Sequence, residues 1–182
     1  MVDAETTTYL QYPNRVRVET KMPQGTQTQV YDGTRGWVRD PFGVREVPEV
    51  ALGEMEASLK RDTVTALLLA ARGDLNLRLL PDVKEPDGRV RQVLELSSSS
   101  LEPLVLFIDP ETHLIARQTY VVRAPGQPLI EEVFSDYRPV AGLSVAFVAE
   151  VRTGGKAIVE RHLSDIKINT PIDPKMFTRP SS

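Results

Sequence analysis

The stretch that decides the fold is LEPLVLFIDPETHLIARQTYVV, from Leu101 to Val122, which predicts a β-hairpin. Leu104 to Ile108 form a short, wholly apolar run, and a second strand is predicted from Leu114 to Val122. The intervening Asp109-Pro110-Glu111-Thr112 has turn chemistry, because proline fixes φ for a type I turn and aspartate accepts from the backbone two residues on. The first strand is apolar on both faces, so we expect it to be covered on both sides.

Upstream of this hairpin, the sequence predicts a meander of short antiparallel strands. Turn signals containing proline or glycine separate segments in which apolar and polar residues alternate, as where Val16 and Val18 alternate with charged residues. The predicted strands are 6–12, 15–22, 26–31, 36–39 and 44–47.

The pattern becomes helical between Pro48 and Arg72, where we expect two helices or one kinked helix between the halves of a sheet. Asp62 is placed to cap the segment 63–72, and Gly73 is placed to end it. Leu67, Leu68 and Leu69 are consecutive, so at about 100° per residue they cannot share one face. This helix therefore either buries more than one face or leaves a leucine exposed to a ligand. Its apolar stripe at helical spacing consists of Val64, Leu67, Leu68 and Ala71.

Strands resume after Gly73. They are predicted at 75–80, 89–96, 129–137 and from Leu143 onward, with a polar tip at 82–88, a serine loop at 97–100, turns at 139–142 and 153–156, and a last long strand at 157–168. In the strand 129–137, Ile130, Glu132 and Phe134 share one face. The tail 169–182 is expected to begin ordered and then fray.

The predicted fold class is mainly β (α+β). We expect one strongly curved antiparallel sheet, or incomplete β-barrel, of about ten or eleven strands, with a helical insertion at about residues 48–72 that covers a cavity.

The composition excludes several classes of function. The chain has 182 residues and a formal net charge of −3, so no basic excess is present to bind nucleic acid. Cysteine is absent, which excludes disulfides, thiolate metal sites and a cysteine nucleophile. No run approaches the roughly 20 apolar residues of a transmembrane segment, and the first residues do not have the pattern of a signal peptide.

Titratable residues form no convincing catalytic or metal site in the sequence. His113 lies beside a predicted turn and His162 in a predicted strand, and their spacing indicates no metal ligands. Glu131 and Glu132 are adjacent strand residues, so their carboxylates point to opposite faces and cannot work as an acid–base pair. We predict that the protein is not an enzyme and has no cofactor and no metal.

The feature that points to function is an apolar cavity, since a curved sheet lidded by leucine-rich helices is its usual shape. Plain core packing is the alternative, and it is the preferred one for the aromatic cluster of Tyr31, Trp37 and Phe42 and for the leucines at 67–69. The candidate lining residues are Tyr31, Trp37, Met55, Leu59, Leu67, Leu68, Phe107, Phe134 and Phe147.

Five segments also carry a family resemblance. They are YLQYPNRVRVE (Tyr9–Glu19), QVYDGTRGWV (Gln29–Val38), LFIDPETHLIARQTY (Leu106–Tyr120), EEVFSDYRPVAGLSVAF (Glu131–Phe147) and IKINTPIDPKMF (Ile166–Phe177). Together they resemble the LolA/LolB-like superfamily of outer-membrane lipoprotein carriers. The resemblance implies an incomplete antiparallel barrel closed by helices over an apolar cavity, which in the carriers holds lipoprotein acyl chains.

The resemblance also implies a context for the chain. Family members usually begin with a signal peptide and a helix, so we expect residues 1–182 to be a single LolA-like domain of a longer exported chain that lacks its N-terminal segment. The implied location is the periplasm or the outer membrane, with peripheral membrane association.

Three functions are then in competition. The first is a non-catalytic module of the cell envelope that binds an acyl chain or another apolar ligand. The second is a ligand-free accessory domain of a larger envelope protein, since similar domains occur at the C-terminal end of insulinase-type zinc peptidase chains. An enzyme acting through Asp, Glu and His ranks last.

Overall fold

The computed structural model describes residues 3–181, which fall into two compact units. Unit 1 comprises the chain up to Ala66 together with the chain from Pro171 onward, and unit 2 comprises Leu67–Thr170. The described chain contains twelve β-strands, two α-helices and one short 3₁₀ helix. That residues 1–182 form a single domain stays a prediction.

Unit 1 contains an antiparallel meander of five strands in the order β1-β2-β3-β4-β5, as the alternation and the turn signals predict. At the β4–β5 turn, for example, the Asp40 carboxylate accepts from the backbone N–H of Phe42 at 2.9 Å. The strands are β1 (Glu5–Gln11), β2 (Arg15–Met22), β3 (Gly25–Tyr31), β4 (Gly36–Asp40) and β5 (Gly43–Glu46).

Helix α1 (Glu49–Arg61) follows β5 and packs against the start of β4. Gly36 makes this close approach possible, because a Cβ on Gly36 would lie 2.8 Å from Leu52 Cδ2 and 3.2 Å from Met55 Sδ. Glu49 in the first turn and basic residues in the last turn complement the helix dipole. On the same unit, the 3₁₀ helix Pro174–Phe177 buries Phe177 to 1% exposure, so this part of the tail does not fray as predicted.

Helix α2 (Thr63–Arg72) begins and ends where the sequence predicts. The Asp62 carboxylate accepts from the backbone N–H and the hydroxyl of Thr65, both at 3.0 Å, which confirms the N-cap. At the other end, Gly73 has φ +79° and donates to Ala70 O, while Asp74 N–H donates to Leu69 O. These two bonds form a Schellman motif, which accounts for the sharp stop.

Unit 2 contains an antiparallel sheet of seven strands in the order β12-β11-β10-β9-β8-β7-β6. The strands are β6 (Asn76–Lys84), β7 (Val90–Ser98), β8 (Leu101–Ile108), β9 (Ile115–Val121), β10 (Leu129–Val140), β11 (Leu143–Thr153) and β12 (Lys156–His162).

The hairpin β8–β9 has the predicted turn. One Asp109 oxygen accepts from the backbone N–H groups of Glu111 and Thr112, each at 3.0 Å. These two hydrogen bonds lower the pKa of Asp109 to about 2, and the bond from Thr112 has the larger effect. Leu106 and Phe107 are adjacent and both buried, so β8 is covered on its two faces as predicted.

The fold class is confirmed, with three corrections of detail. The described strands number twelve and form two sheets, neither closed into a barrel, instead of one curved sheet of ten or eleven strands. The strand predicted at 157–168 ends at His162, so residues 163–168 lie outside it. The serine loop predicted at 97–100 shortens to a tight turn, since β7 extends to Ser98 and β8 begins at Leu101.

Candidate functional site

The seven-stranded sheet of unit 2 has one apolar face, defined by cross-strand register. Leu94 lies opposite Leu106, and Leu96 lies opposite Leu104, so these four leucines share a face. Leu96, Leu104 and Leu106 are exposed by 0%, 0% and 1%. They form the densely packed centre of what we call the apolar face.

The register carries the apolar face across β9 to β10 and β11. Gln118 lies opposite both Leu106 and Glu132, and Glu132 is flanked on the same face by Ile130 and Phe134. Phe134 lies opposite Ala149, which places Phe147 on this face as well. The Phe147 ring is covered by the Arg138 guanidinium, 4.4 Å from the ring centroid. Two predicted residues, Phe134 and Phe147, therefore do lie on one surface.

A polar cluster interrupts the apolar face at Glu132, whose side chain is only 10% exposed. Its carboxylate accepts from the Tyr120 hydroxyl at 2.6 Å and from the guanidinium of Arg161. A buried carboxylate without such partners would cost several kcal/mol (order of magnitude), so this pairing is what makes Glu132 tolerable there. The cluster joins β9, β10 and β12 across the sheet.

The opposite face of the same sheet is mixed, with charged side chains beside apolar ones, and Phe107 belongs to it. Phe107 lies opposite Arg117 in register, and the Arg117 guanidinium lies 3.3 Å from the ring centroid. Arg117 also forms ion pairs with Glu85 at 3.1 Å and with Glu131 at 3.2 Å. The structure therefore does not bring Phe107 together with Phe134 and Phe147, because the sheet lies between them.

Four leucines of unit 2 are left exposed near the start of this unit. Leu67 and Leu68 in α2 are 48% and 39% exposed, because α2 buries Thr65 and Ala66 in place of its apolar stripe. Leu77 and Leu79 in the edge strand β6 are 55% and 76% exposed. They lie opposite Leu96 and Leu94, so they extend the apolar face to an accessible edge.

The remaining predicted residues are packed inside unit 1. Tyr31, Trp37 and Leu59 are buried, with exposures of 6% to 7%, and Met55 lies against Gly36. Burial, together with the nearby carboxylates of Glu56 and Asp32, raises the pKa of Tyr31. These residues form a packed core in the structure. For Tyr31 and Trp37 this agrees with the alternative interpretation of the sequence, which was plain core packing. The third member of that aromatic cluster, Phe42, is 95% exposed instead.

The histidine and carboxylate side chains of the described residues do not cluster into a metal site. Within residues 3–181, no three His, Asp or Glu side chains come together in a way that would hold a metal ion. His162 is exposed on β12 and contacts Glu160 at 2.7 Å, and His113 follows the β8–β9 turn with φ +58°. In that same range, no helix is both long and apolar enough to cross a membrane.

Some residues of the apolar face were missed by the sequence reasoning. Leu77 and Leu79 alternate correctly for a strand, but their exposure depends on β6 being an edge, which follows from the strand order. Glu132 was placed on the correct face, and no local signal pairs it with Tyr120 or Arg161.

Comparison with known proteins adds a result at the level of fold. No protein-family model and no curated protein matches the chain. A solved structure described as a LolA superfamily protein from Nitrosomonas europaea is similar, with 17% identity, a TM-score of 0.63, and coverage of 91% of this chain and 76% of that chain. A proposed outer membrane lipoprotein-sorting protein domain from Vibrio parahaemolyticus is also similar, with 11% identity, a TM-score of 0.51, and coverage of 91% and 79%. These likenesses confirm the resemblance noted in the sequence at the level of structure: the chain has the fold of the LolA superfamily.

Proposed function

We propose that the protein is a non-catalytic binding module that holds a lipid acyl chain or another apolar ligand, as a lipoprotein carrier does. The observation that carries this proposal is the set of exposed leucines in residues 67–79, next to the leucines of the apolar face. The LolA-like fold supports it, and so does the description of one similar structure as a lipoprotein-sorting domain. On the same grounds, we propose a location in the periplasm or at the outer membrane.

Exposed leucines of this kind need a reason. Soluble proteins expose single apolar side chains commonly, whereas grouped ones mark interaction sites. Only three residues separate α2 from β6, so the chain itself keeps the C-terminal half of α2 near the start of β6. Leu67 and Leu68 on one element and Leu77 and Leu79 on the other are therefore available to one ligand.

The centre of the apolar face limits how a ligand can bind. Leu96, Leu104 and Leu106 are fully buried, so they offer no surface unless the packing around them opens. The ligand first meets the exposed leucines of α2 and β6. We propose Leu67, Leu68, Leu77 and Leu79 as the primary contacts, with Phe134 and Phe147 reached only by a ligand that penetrates along the sheet.

The test compares two exposed apolar residues on helices. Leu68→Glu introduces a charge at the proposed contact, and Val50→Glu introduces the same charge in α1, where Val50 is 94% exposed. Binding of a fluorescent fatty acid is expected to be lost in Leu68→Glu and unchanged in Val50→Glu, with both variants folded by circular dichroism. Equal binding by the two variants would contradict the proposal.

A second candidate function is a ligand-free accessory domain, which the full burial of Leu96, Leu104 and Leu106 favours. It predicts that the protein carries no lipid when purified from cells. Native mass spectrometry followed by organic extraction separates the two functions. A stoichiometric acyl-chain adduct supports the binding module, and a clean apoprotein that also fails to bind the fatty acid supports the accessory domain.

A further inference from the structure

Arg39 on β4 differs from the other arginines that are not fully exposed. Each of the others has an acidic partner: Arg17 with Glu19, Arg61 with Glu54, Arg91 with Asp109, Arg117 with Glu85, and Arg152 with Glu150. Arg39 is half-buried and makes no ion pair or hydrogen bond through its side chain with any residue in the range 3–181. A guanidinium that is partly withdrawn from water and has no acidic partner is available to pair with an external anion.

The surroundings of Arg39 provide room for that anion. A surface cavity of about 490 Å³ lies between the β2–β3 and β4–β5 turns. Its lining consists of Gly25, Thr26, Arg39, Asp40, Pro41 and Gly43. All six residues belong to unit 1, and they include one guanidinium, one hydroxyl, one carboxylate and the backbone of two turns.

The acidic residue in this lining does not neutralise Arg39. The Asp40 carboxylate pairs with Arg45 at 2.6 Å and accepts from the backbone N–H of Phe42 at 2.9 Å. The hydrogen bond from Arg45 is the main reason why the pKa of Asp40 is lowered. Asp40 is thus held by other groups, and the charge of Arg39 stays uncompensated.

A buried hydroxyl next to Arg39 also lacks a hydrogen-bond partner within the described chain. Thr28 lies directly opposite Arg39 in the β3–β4 register, so the two side chains share a face. Thr28 is 0% exposed, and among the described residues its hydroxyl has no hydrogen-bond partner. Buried polar groups are almost always satisfied, and Thr28 does not line the cavity, so a water molecule between its hydroxyl and an anion on Arg39 would satisfy this one.

We propose that this cavity binds an anionic oxyacid group, phosphate or phosphodiester, through Arg39 with Thr26 as a hydrogen-bonding partner. A guanidinium fits such groups because its planar fork donates two parallel hydrogen bonds to two oxygens. The site lies in unit 1 and is separate from the leucines proposed to contact an apolar ligand. Its failure would leave the proposed function untouched.

The group can come from a free phosphate or from a phospholipid headgroup, and the experiment distinguishes these sources. One arm titrates the 182-residue protein with inorganic phosphate at constant ionic strength, followed by calorimetry. The other arm measures co-sedimentation with vesicles of phosphatidylglycerol in phosphatidylcholine, against vesicles of phosphatidylcholine alone. Binding of inorganic phosphate alone identifies a free oxyanion, and binding of the anionic vesicles that depends on Arg39 identifies a headgroup.

Variants decide whether Arg39 is responsible. Arg39→Gln is expected to weaken binding by about tenfold or more, because a charge-assisted hydrogen bond is lost. Thr26→Val is expected to weaken it severalfold with the positive charge retained. Arg35→Gln is the matched control, since Arg35 is exposed and directly precedes β4, the strand that carries Arg39. Absence of binding in both arms would overturn the proposal, and so would an equal loss in Arg35→Gln and Arg39→Gln.

Discussion

Replacing Leu79 with threonine tests the apolar edge of the sheet quantitatively. Complete burial of a leucine side chain contributes about 1.5–3 kcal/mol. Leu79 is 76% exposed, so a ligand that covers it recovers about three quarters of that amount, roughly 1–2 kcal/mol. We therefore expect Leu79→Thr to raise the dissociation constant for a fatty acid by roughly 5- to 30-fold. The free energy of unfolding should change by less than about 0.5 kcal/mol, because the side chain is mostly in solvent and threonine suits a strand.

The control for this variant is Leu129→Thr. Leu129 is also a strand leucine, 59% exposed, but its register with Val121 places it on the opposite face of the same sheet. Fluorescence titration with a fatty acid measures binding, and urea denaturation measures stability. If both variants bind as tightly as the unmodified protein, or if both weaken equally, the assignment of the ligand to the apolar face is wrong.

Three further predictions concern stability. Leu106→Ala should lower the free energy of unfolding by about 2–5 kcal/mol in urea, since Leu106 is 1% exposed at the centre of the apolar face. Asp62→Ala should cost about 1 kcal/mol by removing the N-cap of α2, and Asp62→Asn, which keeps an acceptor, should cost less. Burial raises the pKa of Tyr137 to about 12, and its hydroxyl donates to Ile115 O at 2.6 Å. Because the folded pKa exceeds the unfolded value of about 10, this contribution to stability is complete below pH 10 and is lost as the pH rises towards 12. Thermal unfolding at a series of pH values measures this loss of stability, which should be absent in Tyr137→Phe.

The parts of the fold that follow from local chemistry could be predicted from the sequence. Asp62 and Gly73 mark the ends of α2 because a cap and a left-handed residue act within a few positions of themselves. Asp109 marks the β8–β9 turn for the same reason. These features need no knowledge of which strands are neighbours.

The candidate site depended on long-range information and was predicted less well. Phe107 and Phe134 lie on opposite faces, which becomes apparent only after the register is followed through β8, β9 and β10. The exposure of Leu79 follows from β6 being an edge strand. The isolation of Arg39 is visible only in three dimensions, because its sequence neighbour Asp40 pairs with Arg45 instead.

Because Gly36 has no Cβ, it limits the space between α1 and β4. A single added methyl group there would come within 2.8 Å of Leu52, so α1 and β4 are separated by no more than their own atoms at this point. A guest entering between them would have to displace the helix as a whole. Unit 1 is thus closed where α1 meets β4, so the apolar ligand that we propose would have to bind elsewhere.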